Sequence, residues 1–222
     1  MPRDEPRQSA AGRTLRLDQQ PQLRRPPGPR RAHALDEPGD GRRGGGDGAA
    51  HRRARAGALT ARKSAFAPIA APDARVLILG SLPGEASLAA RRYYAHPQNR
   101  FWHLAGRAIG RELAGIGYDE RLAALKEARI ALWDTVASAA RSGSLDAAIR
   151  EAENAPLAEF VATLPELRAV AFNGRKSAAI GRPQLAGSGL ALIDLPSSSP
   201  AYAAMPLAEK ERLWARLGDF LA

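Results

Sequence analysis

Short apolar runs alternate along the chain with stretches of helical character. Four apolar runs, each followed at once by Gly, Asp, Asn or Pro, predict buried strands at residues 76–79, 130–133, 167–172 and 190–195. Helix-forming composition or apolar residues at helical spacing predict helices at residues 85–92, 101–109, 119–128, 144–152, 156–164, 175–180 and 207–221. This alternation indicates a parallel sheet covered on both faces, a three-layer α/β/α sandwich.

The predicted strands end in four turn segments that should lie together. They read GSLPG, WDT, FNG and LPSSSP in chain order. Because the carboxyl ends of parallel strands meet at one edge of a sheet, and open α/β sheets bind ligands there, we expect a composite site built from all four segments.

An aromatic-rich stretch follows the first of these segments. Tyr93, Tyr94, His96, Asn99 and the Phe-Trp pair at 101–102 fall within ten positions, although aromatic residues form only 5% of the chain. Together with the turns, they predict a cleft of amides, hydroxyls and aromatic rings. Such a cleft suits a flat, neutral, hydrogen-bonding ligand such as a nucleobase.

Several other chemistries do not fit the glycine segment. The Lys-Ser/Thr pair of a P-loop, the G-x-G-x-x-G dinucleotide motif and the G-x-S-x-G hydrolase motif are all missing. The chain contains no cysteine, which excludes thiolate metal sites and disulfides. We expect neither a metal nor another cofactor. Hydrolysis of a small ester or phosphate, with His96 as the base, remains an alternative.

Composition divides the chain into a tail and a domain. Residues 1–60 are rich in Arg, Pro and Gly and poor in large apolar residues, which predicts a disordered tail before a folded domain at residues 66–222. The formal net charge is +10, and the tail holds 13 basic residues against 7 acidic ones. This excess is weak support for nucleic-acid binding, because an arginine-rich and alanine-rich composition also follows from a GC-rich genome. No apolar run reaches the roughly 18 residues of a membrane span, so we expect a soluble, intracellular protein.

Four sequence blocks resemble a known family. They are GSLPGEASLAARRYYAHPQNRFW at 80–102, ALWD at 131–134, FNGRK at 172–176 and LPSSSPAYA at 195–203. These blocks are similar to those of the hypoxanthine-DNA (deoxyinosine) glycosylases of the uracil-DNA glycosylase superfamily. The resemblance runs from about residue 66 to the end, and it implies a four-stranded parallel sheet with strand order 2-1-3-4.

The resemblance also implies an activity. A monofunctional glycosylase of this kind flips a deaminated base out of double-stranded DNA and hydrolyses its N-glycosidic bond in base excision repair. Related branches position water with an Asn or Asp in the first glycine motif, where this chain has Ser81 and Leu82. That departure favours hypoxanthine over uracil. Excision of uracil or thymine opposite guanine, a damaged-DNA binding module without catalysis, and a small-molecule hydrolase stay open as alternatives.

On this resemblance each candidate residue receives a role. Asn99 is expected to hold the attacking water, with capping of the helix at residue 101 as its structural alternative. The base-binding set is Gly80, Ser81, Leu82, Pro83, Gly84, Tyr93, Tyr94, His96 and Asn173, and one of the two tyrosines is expected to be a core residue. The DNA-binding set is Ser197, Ser198, Ser199, Arg175, Lys176 and Tyr202, the last as a wedge in the base stack. Asp134 is expected to cap the segment that follows it, and the protein is expected to be a monomer.

Overall fold

The computed structural model describes residues 62–222, so the tail predicted at residues 1–60 lies outside the described residues. This part of the chain forms seven strands and six α-helices. The strands are β1 (Arg62–Ser64), β2 (Val76–Gly80), β3 (Ile130–Asp134), β4 (Val136–Ala140), β5 (Arg150–Asn154), β6 (Ala169–Asn173) and β7 (Ala191–Leu195). The helices are α1 (Glu85–Ala90), α2 (Phe101–Ile109), α3 (Tyr118–Glu127), α4 (Leu157–Ala162), α5 (Arg175–Leu185) and α6 (Leu207–Trp214). Short 3-10 helices lie at Asp146–Ala148 and Ala215–Phe220.

The central sheet is parallel and has the order β3-β2-β6-β7. In chain order of these four strands the arrangement is 2-1-3-4, so the predicted topology is confirmed. Val76 of β2 pairs with Ile130 on one side and Ala169 on the other. All five positions of β2 are buried, as expected of a central strand whose apolar run is uninterrupted.

Helices cover both faces of this sheet, which confirms the three-layer sandwich. Val76 and Ile78 of β2 point to one face, where they share a core with residues of α2, α3 and α6. Leu77 and Leu79 point to the opposite face, toward α4 and α5. Strand side chains alternate between faces, so one apolar run supplies both cores. Within residues 62–222 no helix combines the length and apolar character that a membrane crossing needs.

A second, antiparallel sheet with the order β1-β4-β5 was not predicted. The helix predicted at residues 144–152 is wrong, because the chain there forms a 3-10 turn at Asp146–Ala148 and then β5. Every residue of β5 is exposed, and its sequence REAEN has a helix-forming composition. Pairing with β4 overrides this weak local preference. The fold also begins before residue 66, since β1 pairs with β4.

Candidate active site

The four turn segments meet at the carboxyl edge of the central sheet, as the strand pattern predicts. The Thr135 N–H, just after β3, donates to the carbonyl of Gly80 at 2.9 Å. On the other side of β2, the Gly174 N–H that follows β6 donates to the carbonyl of Leu195 at the end of β7, at 3.1 Å. These bonds join neighbouring strand ends in pairs and fix the floor of the site.

Asn173, the last residue of β6, ties two other segments to this edge. Its Nδ2 donates to Ser198 Oγ at 2.9 Å, and its Oδ1 accepts from the Ser198 N–H at 2.9 Å. The same Nδ2 donates to the Tyr94 hydroxyl at 3.3 Å. The Asn173 side chain is buried, and its amide is therefore engaged with Ser198 and Tyr94 in this structure.

The serine loop, defined here as residues 196–200, is held from behind by α6. Lys210 Nζ donates to the carbonyl of Ser197 at 3.0 Å and to that of Tyr202 at 2.7 Å. Trp214 Nε1 donates to the carbonyl of Pro196 at 3.0 Å. Lys210 is 5% exposed, and this burial lowers its pKa. Its fixed ammonium group holds the backbone of the loop in one shape.

Asn99 lies beside the serine loop. The backbone N–H of Arg100 donates to the carbonyl of Ser198 at 3.0 Å, which places the Asn99 segment and the serine loop at the same edge. Asn99 Oδ1 accepts from the Phe101 N–H at 2.9 Å, so the side chain does satisfy a donor at the start of α2. A carbonyl oxygen has two lone pairs, and this bond uses one of them.

A buried arginine supports the glycine loop, defined here as residues 80–84. Arg141 is 1% exposed, and its guanidinium donates to the carbonyls of Leu82, at 3.1 Å, and Pro83. Burial lowers its pKa, while nearby carboxylates oppose that shift. Sequence reasoning missed Arg141. The only sequence signal is a lone arginine in the run ASAARSG, which resembles an ordinary surface position.

The glycine loop is also bordered by residues 142–146, named here the outer loop. Ser144 Oγ accepts from the Glu85 N–H at 2.9 Å, and Ser81 Oγ donates to Asp146 Oδ1 at 2.5 Å. The Leu82 side chain packs away from the site with Val136 and the other apolar residues of the second sheet. The outer loop carries Leu145, which is 60% exposed and was not singled out from the sequence.

The two adjacent tyrosines have different environments, as expected. Tyr93 is buried, and its hydroxyl donates to the carbonyl of Ala67 at 3.2 Å, so it is the core residue of the pair. Tyr94 stacks on Phe101, with ring centroids 3.6 Å apart and an interplanar angle of 6°. Burial raises the pKa of the Tyr94 hydroxyl. Its backbone has a φ of 51°, a left-handed conformation that non-glycine residues adopt rarely and mainly where the surrounding structure enforces it.

Asp134 closes the floor of the site at the end of β3. It is 3% exposed, and its Oδ2 has no hydrogen-bond partner in the described part of the chain. Its Oδ1 lies directly beside Gly80, 2.3 Å from the point where a Cβ on that residue would stand. Burial raises the pKa of this carboxyl to about 7, with Asp146 adding to the shift and Arg141 opposing it.

The remaining candidates lie toward solvent. His96 is exposed, and its Nδ1 accepts from the Gln98 N–H at 3.2 Å. Arg175 is exposed and Lys176 half-buried at the start of α5. A groove of about 400 Å³ runs beside the serine loop, with Arg100, Tyr202 and Lys210 among its lining residues. Residues 62–222 contain no group of three or more His, Asp or Glu side chains placed to hold a metal ion.

Comparison with known proteins assigns this arrangement to a family. The family model of the uracil DNA glycosylase superfamily matches residues 67–218. A hypoxanthine DNA glycosylase of Methanosarcina acetivorans is 40% identical over 139 residues, covering 63% of this chain and 87% of the relative. A hypoxanthine DNA glycosylase of Methanosarcina barkeri is 41% identical over 116 residues, covering 52% of this chain and 73% of the relative.

A solved structure supports the same assignment. The solution NMR structure of a candidate uracil DNA glycosylase from Methanosarcina acetivorans superposes with a TM-score of 0.63 at 36% identity, covering 71% of this chain and 99% of that one. The fold of this part of the chain is therefore shared with a relative whose structure has been determined. The chain is a DNA glycosylase, a hydrolase acting on N-glycosyl bonds, and it belongs to the hypoxanthine DNA glycosylase family of the uracil DNA glycosylase superfamily.

Proposed function

We propose that this enzyme excises hypoxanthine from double-stranded DNA, leaving an abasic site, as a step of base excision repair. The observation that carries the proposal is the Arg100–Ser198 backbone bond of 3.0 Å, which brings the segment of Asn99 against the serine loop. A nucleotide gripped by the serine loop would then lie within reach of Asn99. The names of the two Methanosarcina relatives support hypoxanthine as the base.

Hydrolysis of the N-glycosidic bond requires a water molecule positioned at C1′. The C1′–N9 bond breaks with its electron pair passing to the base, and the sugar develops positive charge as a water oxygen bonds to C1′. The water loses one proton in this step, and the departing base gains one. Asn99 accepts a hydrogen bond from that water through the second lone pair of Oδ1, while the Phe101 N–H fixes the side-chain orientation. A water molecule held at C1′ reacts faster than one that must arrive from bulk solvent. An uncharged residue can supply this positioning.

The flipped base is held in this scheme by the glycine loop and by Tyr94. Arg141 holds the carbonyl of Pro83 toward the protein interior, and the N–H of Gly84, in the same planar peptide group, points in the opposite direction. That N–H is a donor for the edge of the base. The serine loop, with Arg175 and Lys176, contacts the phosphates on either side of the extruded nucleotide.

The gap left by the extruded base must be filled to keep it from returning. Tyr202 is the sequence-based candidate, and Lys210 Nζ lies 4.9 Å from the centroid of its ring. Leu145 is the second candidate, because its exposed apolar side chain stands on the outer loop beside Ser81 and has no core to join. An apolar wedge of this kind unstacks the neighbouring bases at the cost of stacking energy.

The test is single-turnover release of base from labelled duplexes containing inosine, followed by alkaline cleavage of the abasic site. We expect wild-type protein to release the base, so that alkali then cleaves the inosine strand, and Asn99→Ala to lose at least about 100-fold in rate while binding the same duplex with unchanged affinity. Asn154→Ala is the matched control, since Asn154 is an exposed asparagine at the end of β5 in the second sheet.

Three results would redirect the assignment. Preference for uracil or thymine opposite guanine over inosine would make the enzyme a mismatch-specific glycosylase. Full activity of Asn99→Ala would remove the water-holding role. Tight binding without release of any base would leave only recognition of damaged DNA. Light scattering on the same samples tests the expected monomer.

A further inference from the structure

An unpaired carboxyl in the floor of the site has no part in the scheme above. Asp134 is only 3% exposed, and its buried Oδ2 has no hydrogen-bond partner within residues 62–222. A buried polar group without a partner destabilises the folded state, and a charged one does so more strongly. Asp134 also lies beside the glycine loop, where the proposed function places the flipped base.

The protonated carboxyl can place its hydrogen on only one of its two oxygens. Oδ2 faces the protein interior without a hydrogen-bond partner, so an O–H there would be a buried donor with no acceptor. Orphaned donors are rarer and more costly in proteins than under-used carbonyl acceptors. The hydrogen therefore belongs on Oδ1, the oxygen beside Gly80.

Burial and the groups around Asp134 favour its neutral form over the ionised one more strongly than in a free aspartic acid. Arg141, buried on the segment after β4, is the one charge that favours ionisation, and it is already engaged with two loop carbonyls. Asp146 on the outer loop opposes ionisation. The Tyr94 hydroxyl lies 3.1 Å from the same Cβ position of Gly80 and is neutral at neutral pH, since burial raises its pKa.

We propose that Asp134 is a specificity-determining residue that, as a neutral carboxyl, donates a hydrogen bond through Oδ1 to the exocyclic carbonyl oxygen of the flipped base. This inference rests on the proposed function and extends it. Deamination replaces an amino group by a carbonyl, so it turns a donor into an acceptor at that position. The O–H of Asp134 pairs with hypoxanthine O6 and would face the amino group of adenine, which is a donor.

The proposed hydrogen bond requires the neutral form of the carboxyl. An ionised Asp134 would offer only acceptors to the base, and its charge would oppose the carbonyl oxygen. A site built around one donor rejects the parent base, because a buried polar group is then left unpaired. Discrimination of this type does not require the residue to take part in the bond-breaking step.

The experiment compares wild-type, Asp134→Asn and Asp134→Leu enzymes in single-turnover release of hypoxanthine between about pH 6 and pH 9. An asparagine also presents an N–H donor at this position and cannot ionise. We expect wild-type rates to fall about tenfold per pH unit above the carboxyl pKa, and the Asp134→Asn rate to stay level. Near pH 6 the Asp134→Asn enzyme should be within about tenfold of wild type, and Asp134→Leu at least about 100-fold slower. Because the substrate is the same, its own ionisation cancels in the ratio of the two profiles.

Each outcome decides the inference. Matching pH profiles of wild-type and Asp134→Asn enzymes would overturn it. An Asp134→Asn enzyme as slow as Asp134→Leu near pH 6 would also overturn it, and would make Asp134 a proton donor to the leaving base instead. Thermal melts of all three proteins separate these results from misfolding, and the comparison with asparagine stands if Asp134→Leu does not fold. A wild-type enzyme that releases no base from any deaminated duplex would instead refute the proposed function itself.

Discussion

The Oδ1 atom of Asp134 occupies the space that a side chain on residue 80 would need. A Cβ added to Gly80 would stand 2.3 Å from this oxygen and 3.1 Å from the Tyr94 hydroxyl. Glycine is required at this strand end by space alone, because the backbone of Gly80 is not in the left-handed region. The identity of residue 80 and the position of Asp134 are therefore linked.

Gly80→Ala is expected to displace Asp134 and to lower the free energy of unfolding by about 1–3 kcal/mol, with a large loss of excision. Gly115→Ala is the control, since nothing lies within 4 Å of its Cβ position. In a double-mutant cycle with Asp134→Ala, denaturant titration should show a combined loss smaller than the sum of the single losses. Additive losses would mean that the two residues are not coupled.

The pKa of Asp134 predicts how stability depends on pH. Its folded-state pKa of about 7 lies above the ordinary value of 3.8, so the folded protein binds this proton more tightly than the unfolded chain does. The free energy of unfolding should therefore fall as the pH rises from about 4 to about 7 and then level off. Urea titrations should show the free energy of unfolding of Asp134→Asn rising relative to that of wild type across that range, by an amount on the order of 3 kcal/mol. A constant difference between the two proteins would contradict the raised pKa.

Asn173→Ala should loosen the serine loop. The substitution leaves the Ser198 N–H without its acceptor and removes the bond to Tyr94. We expect the free energy of unfolding to drop by about 2–4 kcal/mol and the affinity for inosine duplex to weaken about tenfold. Fluorescence anisotropy and thermal melts measure the two effects, with Asn154→Ala as the exposed control. A lower free energy of unfolding with unchanged affinity for the duplex would show that the serine loop keeps its shape without Asn173.

Arg141→Met should destabilise the conformation of the glycine loop. Methionine fills part of the arginine volume but cannot donate to the carbonyls of Leu82 and Pro83, which are then left without that donor. We expect a loss of about 2–4 kcal/mol in the free energy of unfolding and a decrease of at least about tenfold in kcat/KM. Arg150→Met, at an exposed arginine of β5, should change neither quantity. Unchanged kcat/KM in Arg141→Met would mean that the loop is shaped by other contacts.

Each wedge candidate can be tested by comparing duplex and single-stranded substrates. Tyr202→Ala and Leu145→Ala are each expected to slow excision from duplex DNA about tenfold and to leave excision from a single strand unchanged, because only the duplex must be unstacked. Fluorescence of 2-aminopurine beside the lesion reports the unstacking. A variant that slows both substrates equally acts on catalysis or on backbone binding instead.

The sequence was most informative where burial alone decides the structure. The run at residues 76–79 is apolar without interruption because β2 is central and covered on both faces. The second sheet escaped prediction because β5 has the composition of an exposed helix, and only its pairing with β4 makes it a strand. Nothing local to residues 150–154 encodes that partner.

Some site residues could likewise be predicted from local sequence, and others could not. Asn99 and the three serines could be proposed from the motifs that contain them, and Tyr93 and Tyr94 as one core and one site residue. Arg141 and Asp134 could not be given their environments, because each depends on segments distant in the chain: Arg141 on the glycine loop, and Asp134 on Gly80 and Asp146. Their burial is a property of the assembled edge of the sheet.

The hold of α6 on the serine loop has a thermal consequence. Lys210 and Trp214 keep the loop in place through carbonyls of Pro196 and Ser197, and both lie near the end of the described fold rather than in the parallel sheet. Terminal elements open at lower free energy than central strands. On warming, excision is therefore expected to fall once α6 leaves the serine loop, before the central sheet melts, and cooling should restore it, so one short helix sets the upper temperature of activity.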